Sequence, residues 1–253
     1  VSDDPRDGGP RLIGVGVGPG NPEYLTLQAV RVLEAADVIL VPATEGSAGS
    51  EGRAEAVVCA ACPQVADRIR RIPFSMGERR GVGPVRAESW RASARAAIEA
   101  FEAGARTVAF ATIGDPSVYS TFSYLRASVA ERMPAVGFEL VPGITAMQAL
   151  AAAAGRPLVE GREVLALVPA TIGPQAVGRL LDVCDSVTIY KAGRTLPQLR
   201  EEIVRHGRQG VVGVDVSLPG QELSDLATLP DGPRPYFSAV LVTPERTTTG
   251  GSL

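Results

Sequence analysis

Short runs of β-branched and aliphatic residues alternate along the chain with longer stretches whose apolar positions recur every three or four residues, the pattern of parallel α/β architecture. Residues 11–17 predict a strand, 25–35 a helix and 38–42 a second strand, together one βαβ unit. A helix over 53–62 leads to a short strand at 70–74. Residues 85–103 form a long amphipathic stretch stopped by Gly104, and 107–113 read as a buried strand. A helix over 118–132, a strand over 138–141 and an Ala-rich helix over 144–154, closed by Gly155, complete the first set.

The alternation then begins again, with strands at 164–168, 187–190, 211–216 and 236–243 and helices at 175–181 and 196–205. This predicts two α/β domains with mostly parallel or mixed sheets, one over 11–156 and one over 157–244, flanked by disordered tails at 1–10 and 245–253. No short-period repeat is present, which excludes solenoids and propellers. The 28 glycines and 20 prolines fit a fold with many tight turns at strand ends.

Composition narrows the partners. With 45% hydrophobic and 21% charged residues the chain is globular rather than disordered or fibrous. A net charge of −3 makes it a poor match for nucleic acid, which leaves a small molecule as the expected ligand. No apolar run approaches the roughly 18 residues that span a bilayer, and the acidic, Gly/Pro-rich opening lacks the features of a secretory signal. Three cysteines make no disulfide framework, so a reducing cytoplasm is the expected location. Cys59 and Cys62 form a lone C-x-x-C that Cys184 and His206 could complete as a zinc set, but a second closely spaced pair is missing and packing on an Ala-rich helix is the stronger reading. No metal is expected. His206, the only histidine, suits a helix C-terminus better than acid–base chemistry.

Three strand-end loops carry the candidate chemistry. Gly14-Val15-Gly16-Val17-Gly18-Pro19-Gly20 lies where a dinucleotide fold keeps its phosphate-binding glycines, yet G-x-G-x-x-G fails from either start, meeting Pro19 or Asn21. What remains is a backbone bare of side chains, open to close approach by a flat ligand. In Gly114-Asp115-Pro116 the carboxylate is placed to cap the next helix, with Pro116 in its first turn. Val141-Pro142-Gly143-Ile144-Thr145-Ala146 repeats the design. In parallel sheets ligands gather outside the C-terminal strand ends, so three such loops point to one shared site. Lys191, the only lysine, sits at a strand end. Between residues 68 and 95 eight arginines face two glutamates, which predicts a polyanionic ligand near residues 77–84.

Taken in order, these loops resemble the tetrapyrrole methyltransferases, which methylate uroporphyrinogen-derived rings, and the likeness covers residues 11–243. Within that family the segment from Gly114-Asp115-Pro116 through Tyr119 to Tyr124, with Arg53-Ala54-Glu55 and Pro235-Tyr236-Phe237-Ser238, is similar to the branch acting at C20 of precorrin-2. The resemblance implies S-adenosylmethionine as cofactor, an active site in a cleft between the domains, and a homodimer. Carried over by motif, cofactor contacts fall on Pro19, Ile113, Gly114, Asp115, Val118, Thr145, Ala146, Lys191 and Ser217. Around Ser217 the chain departs from the Glu and Gly that the family often has there. Substrate contacts fall on Arg53, Arg79, Arg80 and Tyr119. Relatives acting at other ring positions have an Asp where this chain has Pro42, so no catalytic base is assigned; Tyr119 and substrate-bound water both stand as proton acceptors. Cobalt-factor II is the alternative substrate, and a tetrapyrrole-binding module without turnover the alternative role.

Overall fold

Strand β1 (Arg11–Gly16) buries side chains on both of its faces, as does its neighbour β4 (Thr107–Thr112), and a sheet of such strands needs cover on two sides. The cover comes from the intervening helices. The computed structural model describes residues 9–44, 51–74, 84–230, 232 and 234–246. Its contacts divide into two units, Val1–Thr145 and Ala146–Leu253.

In the first unit β1 is followed by α1 (Leu27–Ala35), β2 (Val38–Thr44), α2 (Arg53–Ala61), β3 (Ile69–Phe74), α3 (Pro84–Glu102), β4, α4 (Phe122–Arg132) and β5 (Gly137–Val141). The sheet order is β3-β2-β4-β1-β5, with every pair parallel. One face packs Ile13, Val15, Ile39, Val41, Ala109 and Ala111 against Leu33 of α1 and Val57 and Val58 of α2. The residues between them, Leu12, Leu40, Val108 and Phe110, face Ala97 and Phe101 of α3 and Leu125 and Val129 of α4. Local signals set the helix ends: the Thr26 hydroxyl accepts the Ala29 amide at 3.1 Å to start α1. Pro42 lies within β2 but beyond Leu40, the last residue paired with β4, so the missing N–H does not interrupt that ladder.

The second unit runs α5 (Ala146–Ala154), β6 (Leu165–Pro169), α6 (Pro174–Leu181), β7 (Ser186–Tyr190), α7 (Leu196–Arg205), β8 (Gly210–Val214), β9 (Glu222–Asp225) and β10 (Ser238–Val242). Its sheet, ordered β6-β7-β10-β8-β9, is mixed: β6 and β7 are parallel, and the other pairs are antiparallel. Val187, Ile189, Val212 and Val240 pack against Val177 and Leu181 of α6 and Leu199 and Ile203 of α7. Two α/β units with one parallel and one mixed sheet match the predicted class. Among the described residues no helix is long and apolar enough to cross a membrane.

Four details differ from the sequence reading. The units divide after Thr145 rather than after residue 156, because α5 packs on β10 and sets Leu150 against Gly213. The helix expected from residue 118 begins at Phe122, since Tyr119 adopts φ 50° and breaks the helical path. Strand β9 was not expected: it is an exposed edge strand with little apolar pattern to read. The C-terminal tail expected from residue 245 is anchored at Arg246, whose guanidinium pairs with Glu163, approaches Glu160 at 3.3 Å and donates to the Pro157 carbonyl at 3.2 Å. Residues 1–8 and 247–253 lie outside the described residues.

The Arg246 guanidinium holds the Glu163 carboxyl below the usual carboxylate range, with help from the Glu160 amide. A carboxyl depressed in the folded state adds stability above its unfolded pKa, and that stability is lost as pH falls through the folded value. Arg246→Ala is therefore expected to lower the thermal midpoint at pH 7 by roughly 5 °C and to approach wild type only as the pH falls below the usual carboxylate range. Melting curves across pH check this, and an equal deficit at both ends refutes it.

Candidate functional site

Strand β1 lies between β4 and β5, and its register sets Gly16 beside Thr112 and Val15 beside Val141. The three strands therefore release their loops side by side at the C-terminal rim, where parallel sheets bind ligands. Gly18 and Gly114 form a bridge, the Gly114 amide donating to the Gly18 carbonyl at 2.8 Å and the Gly18 amide to the Gly114 carbonyl at 3.3 Å. A Cβ on Gly16 would stand 2.6 Å from the Gly114 carbonyl oxygen and 2.7 Å from the Gly143 Cα, and one on Gly143 would strike the same loops. Only glycine lets these backbones touch.

Asp115 locks the arrangement. Its buried carboxylate accepts the Ser117 amide at 2.7 Å and the Ser117 hydroxyl through Oδ1, and the Gly143 amide at 2.9 Å through Oδ2. Burial is the largest single influence and pushes the carboxyl up, but the Ser117 hydroxyl, the Gly143 amide and the Ser117 amide together outweigh it and hold it below the usual range. The expected helix cap is thus corrected. Asp115 ties one loop to another, Pro116 opens a turn, and no helix N-terminus faces the rim there, since α4 starts later.

The structure gathers Pro19, Ile113, Gly114, Asp115 and Val118 in the loops after β1 and β4, with Thr145 buried at the end of the third loop. Tyr119 is half-exposed beside them, and burial of its ring pushes its hydroxyl up. Arg53 opens α2. In the second unit Ala146 begins α5, while Lys191 and Ser217 follow β7 and β8 in left-handed conformations, φ 60° and 69°. Ser217 thus adopts a backbone conformation that favours glycine.

Arg79 and Arg80 lie outside the described residues. The other arginines of that run with described side chains have partners inside the chain. Arg68 donates to the Glu34 and Ala36 carbonyls, Arg70 to those of Asp67 and Ile69, Arg71 grips Glu55 with two bonds of 2.7 and 2.9 Å, and Arg91 and Arg95 share Glu88. Much of the charge excess read as a polyanion site is structural. Cys62 belongs to the core, His206 caps α7 between Asp182 and Glu202, and among the described residues no set of His, Cys, Asp and Glu is grouped to hold a metal ion.

Gly143→Ala should force the loops apart, and overpacking of this kind costs about 1–3 kcal/mol. The expected fall in thermal midpoint is about 3–10 °C, read by calorimetry. An unchanged melt would mean the loops are not in contact.

The profile of the Tetrapyrrole (Corrin/Porphyrin) Methylases matches residues 11–230. The precorrin-2 C(20)-methyltransferase of a Sinorhizobium species is 37% identical over 238 residues, 92% of this chain and 94% of that protein. The cobalt-precorrin-2 C(20)-methyltransferase of Salmonella typhimurium is 28% identical over 243 residues, 92% of this chain and 95% of that one. Among solved structures, a putative cobalamin-synthesis-related protein of Corynebacterium diphtheriae superposes with a TM-score of 0.68 at 18% identity, covering 92% of this chain and 98% of its own. The uroporphyrin-III C-methyltransferase of Thermus thermophilus, solved with S-adenosylhomocysteine, gives 0.60 at 21% identity, covering 91% and 96%. With its two-unit fold, its interlocked glycine loops and matches along nearly its whole length, the chain belongs to the tetrapyrrole (corrin/porphyrin) methylases.

Proposed function

We propose that the chain transfers a methyl group from S-adenosylmethionine to the C20 meso carbon of precorrin-2, giving precorrin-3A on the route to cobalamin. The 37% identity to a precorrin-2 C(20)-methyltransferase across nearly both chains carries this reading. The rim suits the cofactor: Gly114, held in place by the packed Gly16 and Gly143, has open space on the side a Cβ would fill, so a ligand can approach its main chain closely. When bound, S-adenosylmethionine supplies a methyl group on a positively charged sulfur, already activated for displacement.

The residues proposed to hold it are Pro19, Ile113, Gly114, Asp115, Val118 and Thr145 of the first unit and Ala146, Lys191 and Ser217 of the second. The Asp115 carboxylate is already filled by Ser117 and Gly143, so its part is to fix the loops while neighbouring main chain makes the contacts. Alignment of the attacking carbon with methyl and sulfur can supply up to about 7–11 kcal/mol, which rigid loops are suited to deliver. Arg53, Arg79 and Arg80 are assigned to the ring's peripheral carboxylates. Tyr119, whose hydroxyl is pushed up by burial, is assigned to the substrate, and it stands with substrate-bound water as acceptor for the departing C20 proton. The reading includes a homodimer in the cytoplasm, with neither membrane nor nucleic acid as partner.

A second reading, transfer to the cobalt-loaded ring, is favoured by the likeness to the Salmonella typhimurium relative, at the lower identity of 28%. Anaerobic incubation with precorrin-2 and methyl-labelled cofactor is expected to give a singly labelled ring faster than the cobalt-loaded substrate does. An unlabelled ring from folded protein defeats the proposal, and faster labelling of the cobalt ring favours the second reading. Asp115→Ala is expected to weaken S-adenosylhomocysteine binding at least tenfold at pH 7, with Asp115→Asn intermediate because one amide face cannot accept. Calorimetric titration reads this, and wild-type affinity in Asp115→Ala would remove Asp115 from the site.

A further inference from the structure

Helix α4 buries Phe122, Leu125 and Val129 against the first sheet, and the stripe beside them, Ser123, Arg126, Ala127 and Ala130, lines a cavity together with Leu140 of β5. Strand β5 is the edge of that sheet, so no further strand covers Leu140. The cavity has a volume of about 520 Å³, and the loop after β4 closes it with Tyr119. Small-molecule sites have this size. The short side chains at 123, 127 and 130 leave the room.

Three large side chains stand half-exposed on this one cavity: Tyr119 at 47%, Tyr124 at 46% and Leu140 at 48%. Exposed apolar surface gathered in one place marks a binding surface, whereas scattered residues do not. Two of the three are held by the fold. Tyr124 stacks on Trp90 of α3, with ring centres 4.0 Å apart and planes 12° from parallel, and Tyr119 keeps φ 50°, a conformation retained where a site needs it. Arg126 brings the charge. Its guanidinium lies 5.3 Å from the Phe138 ring centre, and among the described residues no carboxylate pairs with it, unlike Arg71, Arg91 and Arg95. A guanidinium beside aromatic and aliphatic walls suits a carboxylate carried on a flat apolar body.

We infer that this cavity takes one edge of the tetrapyrrole, a pyrrole unit lying against Tyr119 and Leu140 while one of its carboxylate side chains bonds the Arg126 guanidinium. The inference rests on the methyl-transfer reading and adds Arg126 to the carboxylate contacts assigned to Arg53, Arg79 and Arg80. Continuity along the chain supports it. The loop that carries Gly114, Asp115 and Val118, assigned to the cofactor, also carries Tyr119, which is assigned to the substrate and lines the cavity.

Steady-state transfer to precorrin-2 by wild type, Arg126→Ala, Arg126→Lys and Ala127→Phe tests it, with S-adenosylhomocysteine titration, melting curves and sedimentation alongside. Both substituted positions are exposed, so the variants are expected to fold. Arg126→Ala should raise KM for precorrin-2 about tenfold at unchanged kcat, as loss of a contact equal in ground and transition states does, and Arg126→Lys should recover part of it. Ala127→Phe, which fills the cavity, should raise KM as well. Cofactor affinity should stay within about twofold of wild type and the thermal midpoint within about 3 °C. A wild-type KM in either Arg126→Ala or Ala127→Phe overturns this inference alone. So does a matching loss of cofactor affinity or of thermal midpoint, which makes the residues structural, or a change of oligomeric state, which gives the cavity to a second copy of the chain. Wild type that methylates no tetrapyrrole overturns the inference together with the reading it rests on.

Discussion

Three main chains in direct contact at the rim of the first sheet are the constraint on which the rest of this structure depends. Gly16 and Gly143 approach the Gly114 backbone so closely that neither has room for a Cβ, Gly114 itself adopts φ 74°, and the Asp115 carboxylate spans two of the loops. Neither device works without the other. The glycines permit the approach, and the buried carboxylate, its charge satisfied by three donors, gives the approach one geometry. The sheet order supplies what both require, because only the succession β4-β1-β5 makes these three strand ends neighbours.

The local part of this design is legible in the sequence. Alternating strands and helices follow from periodicity, and the predicted helix over residues 196–205 coincides with α7 (Leu196–Arg205) because an amphipathic pattern and a proline in its first turn mark it. The three loops also stand out as glycine-bearing strand ends. Strand order does not follow from periodicity, so the touching of the loops is visible only in three dimensions. Asp115 shows the limit: Asp before Pro is what a helix cap looks like, but the left-handed Tyr119 delays the helix and releases the carboxylate for a partner 28 residues away.

Charge was the least transferable signal. A linear count between residues 68 and 95 treats every arginine as available, whereas folding assigns Arg68 and Arg70 to carbonyls and Arg71, Arg91 and Arg95 to glutamates. Guanidinium groups serve such fixed roles well, because the planar fork bonds two acceptors at once. The contact boundary after Thr145 differs from the one read after residue 156 for a related reason. Helix α5 reads as the end of the first alternation, and only its packing on β10 assigns it to the second.

A rim built from main chain has a consequence for descent. Amide and carbonyl groups are the same whatever amino acid bears them, so contacts made through them leave the surrounding side chains free to change while the shape is kept. Solved relatives at 18% and 21% identity that superpose with TM-scores of 0.68 and 0.60 fit that freedom. Gly16 and Gly143 are the exceptions, since any side chain there would drive the loops apart.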